Sequence, residues 1–314
     1  MMKIIVNGVD GNFGSIVAKE LLTKVNAENL IFTAPSESGL DSFLNSGATL
    51  RVANFNHQSS LVEAFKGGDV MLLISAPFVG KKRQQAHRNA INAAIDAGVQ
   101  KIVYTSLVNA SDPTNPSIEK IDHAYTEDYL VNQTKLYYNF MRNSQYAEAM
   151  ITSYLNAAAT SGVQASNQAD GEMAYVSRKD CALAAAYALQ GPVEEKRIFN
   201  INGAELMTLA RFVEIGNQVT GKNVHYQVAS DEETYAAFDA MGVPRTTDGD
   251  FKKDSPAPYS SEGMVTFGQA IREGKMNTFT EDFELLTGQK PVSVKAMFEQ
   301  LEAYQVGVRN ATDD

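Results

Sequence analysis

The feature that most constrains this chain is a set of three glycines, Gly8, Gly11 and Gly14, placed directly behind the apolar stretch Lys3 to Asn7. Glycines at this spacing suit a backbone that turns tightly, passes close to a ligand without a Cβ in the way, and lays a helix hard against the preceding strand. The helix that follows, read as Phe13 to Lys24, opens with unpaired N–H groups and the positive end of its dipole, which together attract a pyrophosphate. Gly8, Gly11, Asn12, Phe13 and Gly14 are therefore candidate dinucleotide-binding residues. The spacing is G-x-x-G-x-x-G rather than G-x-G-x-x-G, and taken alone it also fits a purely structural turn.

Its position in the chain gives it meaning. Short apolar runs alternate with helical patterns: strands at Leu30 to Ala34 and Ala48 to Ala53 with a short helix between them, a helix from Ser59 to Phe65, then the nearly uninterrupted apolar run Val70 to Ser75. A long helix, Lys82 to Ala97, stops at Gly98; Lys101 to Ser106 resumes as a strand, and Leu136 to Met141 is strand-like. Repeated strand–helix–strand units predict an α/β fold, a Rossmann-type parallel sheet with helices on both faces.

The second half is richer in helices. Ser177 with Asp180 reads as a variant capping box before Cys181 to Leu189, Ile198 to Ile201 as a late strand, Thr208 as the cap of Leu209 to Val219, and Asp231 as the cap of a helix through Met241. The expected division is a dinucleotide-binding domain over residues 1–150, to which later segments return, and a smaller, mainly helical substrate-binding part over 151–314. Val243 to Ser261, with three prolines, reads as a long surface loop, either a lid over a site or a solvated connector.

Composition excludes several classes. A net charge of -10 without a dense Lys/Arg run argues against nucleic acid. No stretch approaches the roughly 20 apolar residues a membrane helix needs, and no signal-peptide core follows Met1, so a cytoplasmic location with no membrane partner is expected. The single cysteine, Cys181, sits in an Ala-rich helical stretch as a packed thiol, so no disulfide or thiolate metal cluster, and no metal, is expected.

Open α/β sheets bind ligands beyond the carboxyl ends of their strands. That rule nominates Asn54 and Phe55, then Ser75, Ala76, Pro77 and Phe78, then Thr105, Ser106 and Leu107. After the second strand the chain reads Ala34-Pro35-Ser36-Glu37 with no Lys or Arg, which leans to NAD or to weak discrimination against NADP. Ser36 is the candidate partner of the ribose there, or else a helix cap.

Asn7 to Gly14, Gln85 to Ala94, Ala97 to Leu107, His123 to Glu127, Arg142-Asn143, Tyr175 to Asp180 and Leu286-Thr287-Gly288 together resemble the NmrA-like branch of atypical short-chain dehydrogenases, which includes bacterial NAD(P)H:quinone oxidoreductases and triphenylmethane reductases. The resemblance covers nearly the whole chain. It implies a reductase that delivers hydride from NADPH, or alternatively NADH, to a quinone-like or other conjugated small-molecule acceptor in a cleft between the two parts. A homodimer is implied by the same relatives. Two departures stand against a preference for NADPH: no basic residue follows Ala34, and Asn54 replaces the acid common after the third strand.

Ordinary short-chain dehydrogenases use Tyr-x-x-x-Lys to exchange a proton with a carbonyl. Here Tyr125 is followed at that spacing by Tyr129, and Tyr129 by Gln133, which disfavours alcohol oxidation and sugar-nucleotide epimerisation. His123 and Tyr125 are the candidate hydrogen-bond donors or proton sources, with Glu127 orienting one of them. The alternatives are a surface or capping His123 and a packing Tyr125. Asn143 is a candidate cofactor or substrate contact, and Arg142 an ion-pair partner. A second reading of the whole is a non-catalytic redox sensor that binds the dinucleotide and reports to a partner.

Overall fold

The structure, a computed structural model, describes residues 2–246, 259–304 and 306. In chain order the strands are β1 (Ile4–Asn7), β2 (Leu30–Ala34), β3 (Thr49–Val52), β4 (Val70–Leu73), β5 (Lys101–Leu107), β6 (Tyr137–Asn143), β7 (Val163–Ser166), β8 (Glu172–Met173), β9 (Lys196–Ile201), β10 (Met207–Thr208) and β11 (His225–Val228). Seven of them form one parallel sheet in the order β3, β2, β1, β4, β5, β6, β9. Every residue of β1, β2 and β4 is buried, as their unbroken apolar runs require when helices cover both faces. β3 lies at the edge and is half open.

The first six helices are α1 (Asn12–Leu22), α2 (Gln58–Phe65), α3 (Gly80–Asp96), α4 (Glu119–Gln133), α5 (Ala147–Ala159) and α6 (Arg178–Gln190). α1 and α6 share a core with one face of the sheet, and α2, α3 and α4 pack on the other. The alanines of α6 are small enough to let it lie close against α1 and the sheet. Thus α6 and β9, both beyond residue 150, belong to the sheet's architecture.

A second core gathers α5, α7 (Leu209–Thr220), α9 (Ser261–Arg272) and α11 (Val294–Glu299) with the short pairs β8–β10 and β7–β11. Between them come α8 (Asp231–Ala240) and α10 (Asp282–Thr287).

Three local expectations are corrected. The cap of α8 is Ser230, one residue before Asp231, because Ser230 and Glu233 close a full capping box. At α6 only half a box forms: Ser177 Oγ accepts from Asp180 N at 2.9 Å, while the Asp180 carboxylate accepts from Val292 N instead. Of the expected loop Val243 to Ser261, residues 247–258 lie outside the described residues. Its flanks are not simple surface: Val243 is buried, and Ser260 caps α9.

Candidate functional site

The strand order reverses direction between β1 and β4, and at the carboxyl ends of these strands a cleft of about 270 Å³ opens. One wall is the turn after β1. Gly8 takes φ +68°, Gly11 N donates to Gly8 O at 3.1 Å, and Val9 N donates to Thr33 O at 3.1 Å, pinning the turn to the end of β2. A β-carbon on Gly14 would stand 2.1 Å from Gly8 O, so α1 can start where it does only with glycine there. Below the turn, Asn7 bridges three strands, donating to Leu72 O at 2.9 Å and accepting from Thr33 Oγ1 at 2.5 Å.

The opposite wall is the segment after β4, Ser75 to Phe78. Two side chains one turn apart on α3 hold both backbone groups of Ala76: its N–H donates to His87 Nε2 at 2.9 Å, and its carbonyl accepts from Arg83 Nε at 3.0 Å. The other His87 nitrogen lies 2.8 Å from Thr126 Oγ1, whose own hydrogen goes to the Asp122 carbonyl. These directions leave His87 neutral with its hydrogen on Nδ1. The Asp122 carboxylate accepts from Gly80 N at 2.7 Å and from Gln84 at 2.8 Å, and pairs with buried Arg83 at 3.7 Å. Farther along α3, Asn89 donates to Phe55 O and so holds the segment after β3.

The cleft brings together Gly8, Gly11, Asn12, Phe13 and Gly14 from the first turn with Asn54, Phe55, Ser75, Ala76 and Pro77 from the later strand ends. Four other nominated cofactor residues do not line it. Ser36 Oγ pairs with Ser38 Oγ at 3.1 Å, and it is Glu37, not Ser36, that precedes the short helix there. Thr105 Oγ1 accepts from Ser75 N at 2.8 Å and so supports the wall from behind. Ser106 Oγ donates to Glu127 at 2.6 Å, and Asn143 lies at the end of β6 with Nδ2 toward the Tyr146 hydroxyl.

The proposed catalytic trio is not a trio. His123 Nδ1 shares a hydrogen bond of 2.9 Å with the hydroxyl of buried Tyr104 on β5. Tyr125 points elsewhere: its hydroxyl receives a hydrogen bond from Arg88 on α3, and its ring stacks with Tyr129 at 6.4 Å. Residues two apart on a helix do not share a face, which accounts for the separation. Glu127 orients neither of them. It is bound by Arg142 through contacts of 2.9 and 2.5 Å, and by Ser106, in a pair that is nearly closed to solvent.

Two observations bear on whether the cleft fits a dinucleotide. The Gly14 approach leaves the α1 terminus against the turn with no side chain intervening, as a pyrophosphate site needs. Among the described residues, Asn143 Oδ1 and Ser144 Oγ at the carboxyl end of β6 are buried without a partner. Buried polar oxygens normally have one, and a nicotinamide ribose or carboxamide is the kind of group that supplies it. The residues fit.

Residues 1–252 match the NmrA-like family. The chain belongs to that family. Quinone oxidoreductase 2 of Escherichia coli strain K12 is 32% identical over 263 residues, 83% of this chain and 89% of that protein. Among solved structures, NADPH-dependent quinone oxidoreductase from Escherichia coli, complexed with NADPH, superposes with a TM-score of 0.85 at 27% identity, covering 95% of this chain and 99% of the other. Triphenylmethane reductase of a Citrobacter species, complexed with NADP(H), gives 0.81 at 28% identity with the same coverage, 95% and 99%.

Within this NmrA-like architecture, sequence reasoning missed the roles of Arg83, His87, Tyr104 and Asp122. Their chemistry comes from contacts between α3, α4 and the sheet that no local pattern shows. The available signal was a pair of histidines, His87 and His123, in helices of largely polar sequence. Both histidines carry a pH consequence. Burial first, then the Arg83 charge, pushes His87 well below its ordinary 6.5 and His123 down to about 3. A depressed folded value means the unfolded chain binds the proton more readily. Their contribution to stability is therefore complete above about pH 6.5 and is lost as the pH falls toward the folded values. Glu148 and Asp180, pushed up by burial, act in the opposite sense. Urea midpoints measured across this window are expected to fall with acid in the wild-type chain and to fall less steeply in His123→Phe. An equal slope in both would show that His123 is not held neutral by the fold.

Proposed function

We propose that the protein is an NAD(P)H-dependent oxidoreductase that reduces a quinone-like or other conjugated small-molecule acceptor. The carrying observation is the cleft itself, which combines a glycine turn before α1 with a clamped segment after β4 and, among the described residues, has Asp10 as its only ionisable lining side chain. NADPH, the coenzyme of the similar structures, supplies hydride from its nicotinamide when bound. The chain's part is to place the ring: the turn after β1 holds the pyrophosphate, and Ser75 with the Ala76-Pro77 backbone faces the nicotinamide half. Among the described lining residues, the wall after β4 carries no ionisable side chain and Asp10 lies on the turn after β1, which suits an acceptor whose reduced oxygen takes its proton from water. Small conjugated molecules fit this need; an alcohol substrate does not, because no Tyr-x-x-x-Lys pair stands on α4.

His123 is assigned as a neutral hydrogen-bonding partner of Tyr104 behind the cleft rather than as a proton source. Turnover of reduced coenzyme with benzoquinone, naphthoquinone, an azo dye and an enone, followed by nicotinamide absorbance, tests the reading. Acceptor-dependent oxidation is expected, with a rate that shows no break near pH 6.5, the ordinary value for a free imidazole. A break there that vanishes in His123→Gln would restore His123 as the acid. Tight coenzyme binding without turnover on any acceptor would favour the redox sensor, a reading that the lack of an ionisable side chain among the described residues of the wall after β4 also accommodates.

A further inference from the structure

The adenosine end of the cleft carries a negative charge that the glycine motif does not require. Asp10 lies between Gly8 and Gly11, and the bond from Val9 N to Thr33 O swings this part of the turn toward the end of β2. There the side chain packs where the chain leaves the strand. A β-carbon on Gly39 would meet Ala34 Cβ at 2.8 Å and Asp10 Cβ at 3.0 Å, so Gly39 is the space into which Asp10 fits. Asp10 also lines the cleft, facing the same hollow as Pro35 and Asn54. Its carboxylate is half-buried and accepts from its own backbone N–H; partial burial raises its pKa above the ordinary carboxylate value.

No Lys or Arg lies among the described cleft-lining residues, and none occurs from Ala34 to Phe43, where Glu37 and Asp41 add further acid. In folds of this kind the end of the second strand reads the adenosine ribose, a carboxylate accepting from a free 2′-OH and a cation neutralising a 2′-phosphate. The acid that serves this purpose usually ends β2 itself. Here β2 ends in Ala34 and Pro35, and the turn after β1 brings a carboxylate to the same place from the other side.

We propose that Asp10 sets the coenzyme choice: its carboxylate accepts a hydrogen bond from the adenosine ribose, so that NADH binds at least as tightly as NADPH. This rests on the dinucleotide reading of the cleft. A dianionic 2′-phosphate placed beside Asp10 meets like charge with no cation among the described lining residues, whereas the hydroxyl meets an acceptor. Relatives solved with NADPH show what the fold accommodates, and Asp10 is a feature of this chain's own turn that lowers the value of the phosphate.

The test is a binding titration that needs no turnover, using the fluorescence of NADH and NADPH and competition by AMP and by 2′,5′-ADP, which isolate the adenosine end. The wild-type chain is expected to bind NADH as tightly as NADPH or more so, and AMP more tightly than 2′,5′-ADP. Asp10→Asn, nearly isosteric, is expected to tighten NADPH and 2′,5′-ADP about tenfold while NADH changes by about threefold or less, the size of one unscreened charge contact near a surface. Asp10→Ser serves as a second variant should the first disturb the turn. A wild-type preference for NADPH of about tenfold or more would overturn the proposal, as would an equal shift of both coenzymes in the variants, which would make Asp10 a shape-filling residue. Failure of the wild-type chain to bind either coenzyme would instead overturn the reading of the cleft.

Discussion

Gly14→Ala is expected to destabilise the protein by at least about 3 kcal/mol and to weaken coenzyme binding with it. The added methyl would lie 2.1 Å from Gly8 O and 2.6 Å from Gly8 C, both backbone atoms of a turn already fixed by its hydrogen bonds to Thr33 and within itself. Nothing flexible can yield, so either α1 moves off β1 or the turn opens. Both movements disturb the wall that faces the ligand. Gly11→Ala is the internal control, because its added carbon would stand 3.4 Å from Gly8 O and its φ of -87° is open to any residue. Thermal melts and coenzyme titration of the two variants side by side distinguish the roles: Gly14→Ala should lose both stability and binding, Gly11→Ala chiefly binding. Equal melting temperatures for Gly14→Ala and the wild type would show that α1 has room to shift.

Glu127→Ala should cost about 3–5 kcal/mol, the usual penalty when one member of a buried ion pair is removed and its partner keeps an uncompensated charge. Arg142 would be stranded between β6 and α4 with its bond to Ser111 Oγ, and Ser106 would lose its acceptor. Chemical denaturation measures the loss. Replacing both partners at once, Glu127→Leu with Arg142→Met, should recover most of it, since a packed apolar pair need not be desolvated. The same comparison separates structure from catalysis. If Glu127→Ala abolished turnover while leaving the unfolding midpoint unchanged, Glu127 would have to act on the reaction after all.

The sheet was legible because its strands are buried on both faces. Val70 to Leu73 or Ile4 to Val6 can be read from apolar continuity alone, and the glycine turn is readable because its backbone demands are local. Cleft-lining backbone was legible too: Ala76 and Pro77 follow from the rule about strand ends. Side-chain roles were not. Whether Glu127 turns toward His123 or toward Arg142 depends on how α4 is rotated against β5 and β6, and Asp122, Glu127 and Tyr125 all present similar polar patterns in sequence. Ser230 and Asp231 are both good cap residues, and only Glu233 three places beyond Ser230 breaks the tie. Asp10 was visible inside the motif, but its meaning required Gly39, which lies far along the chain.

The grip of Arg83 and His87 on Ala76 has a mechanical consequence. With both its N–H and its carbonyl engaged by one helix, the segment after β4 is geared to α3 and cannot swing open as a free flap. To widen the cleft at this wall, the whole helix must travel, dragging Asn89 and the segment after β3 with it. A coenzyme therefore enters a slot that is already cut, and little of its binding energy goes into ordering the chain.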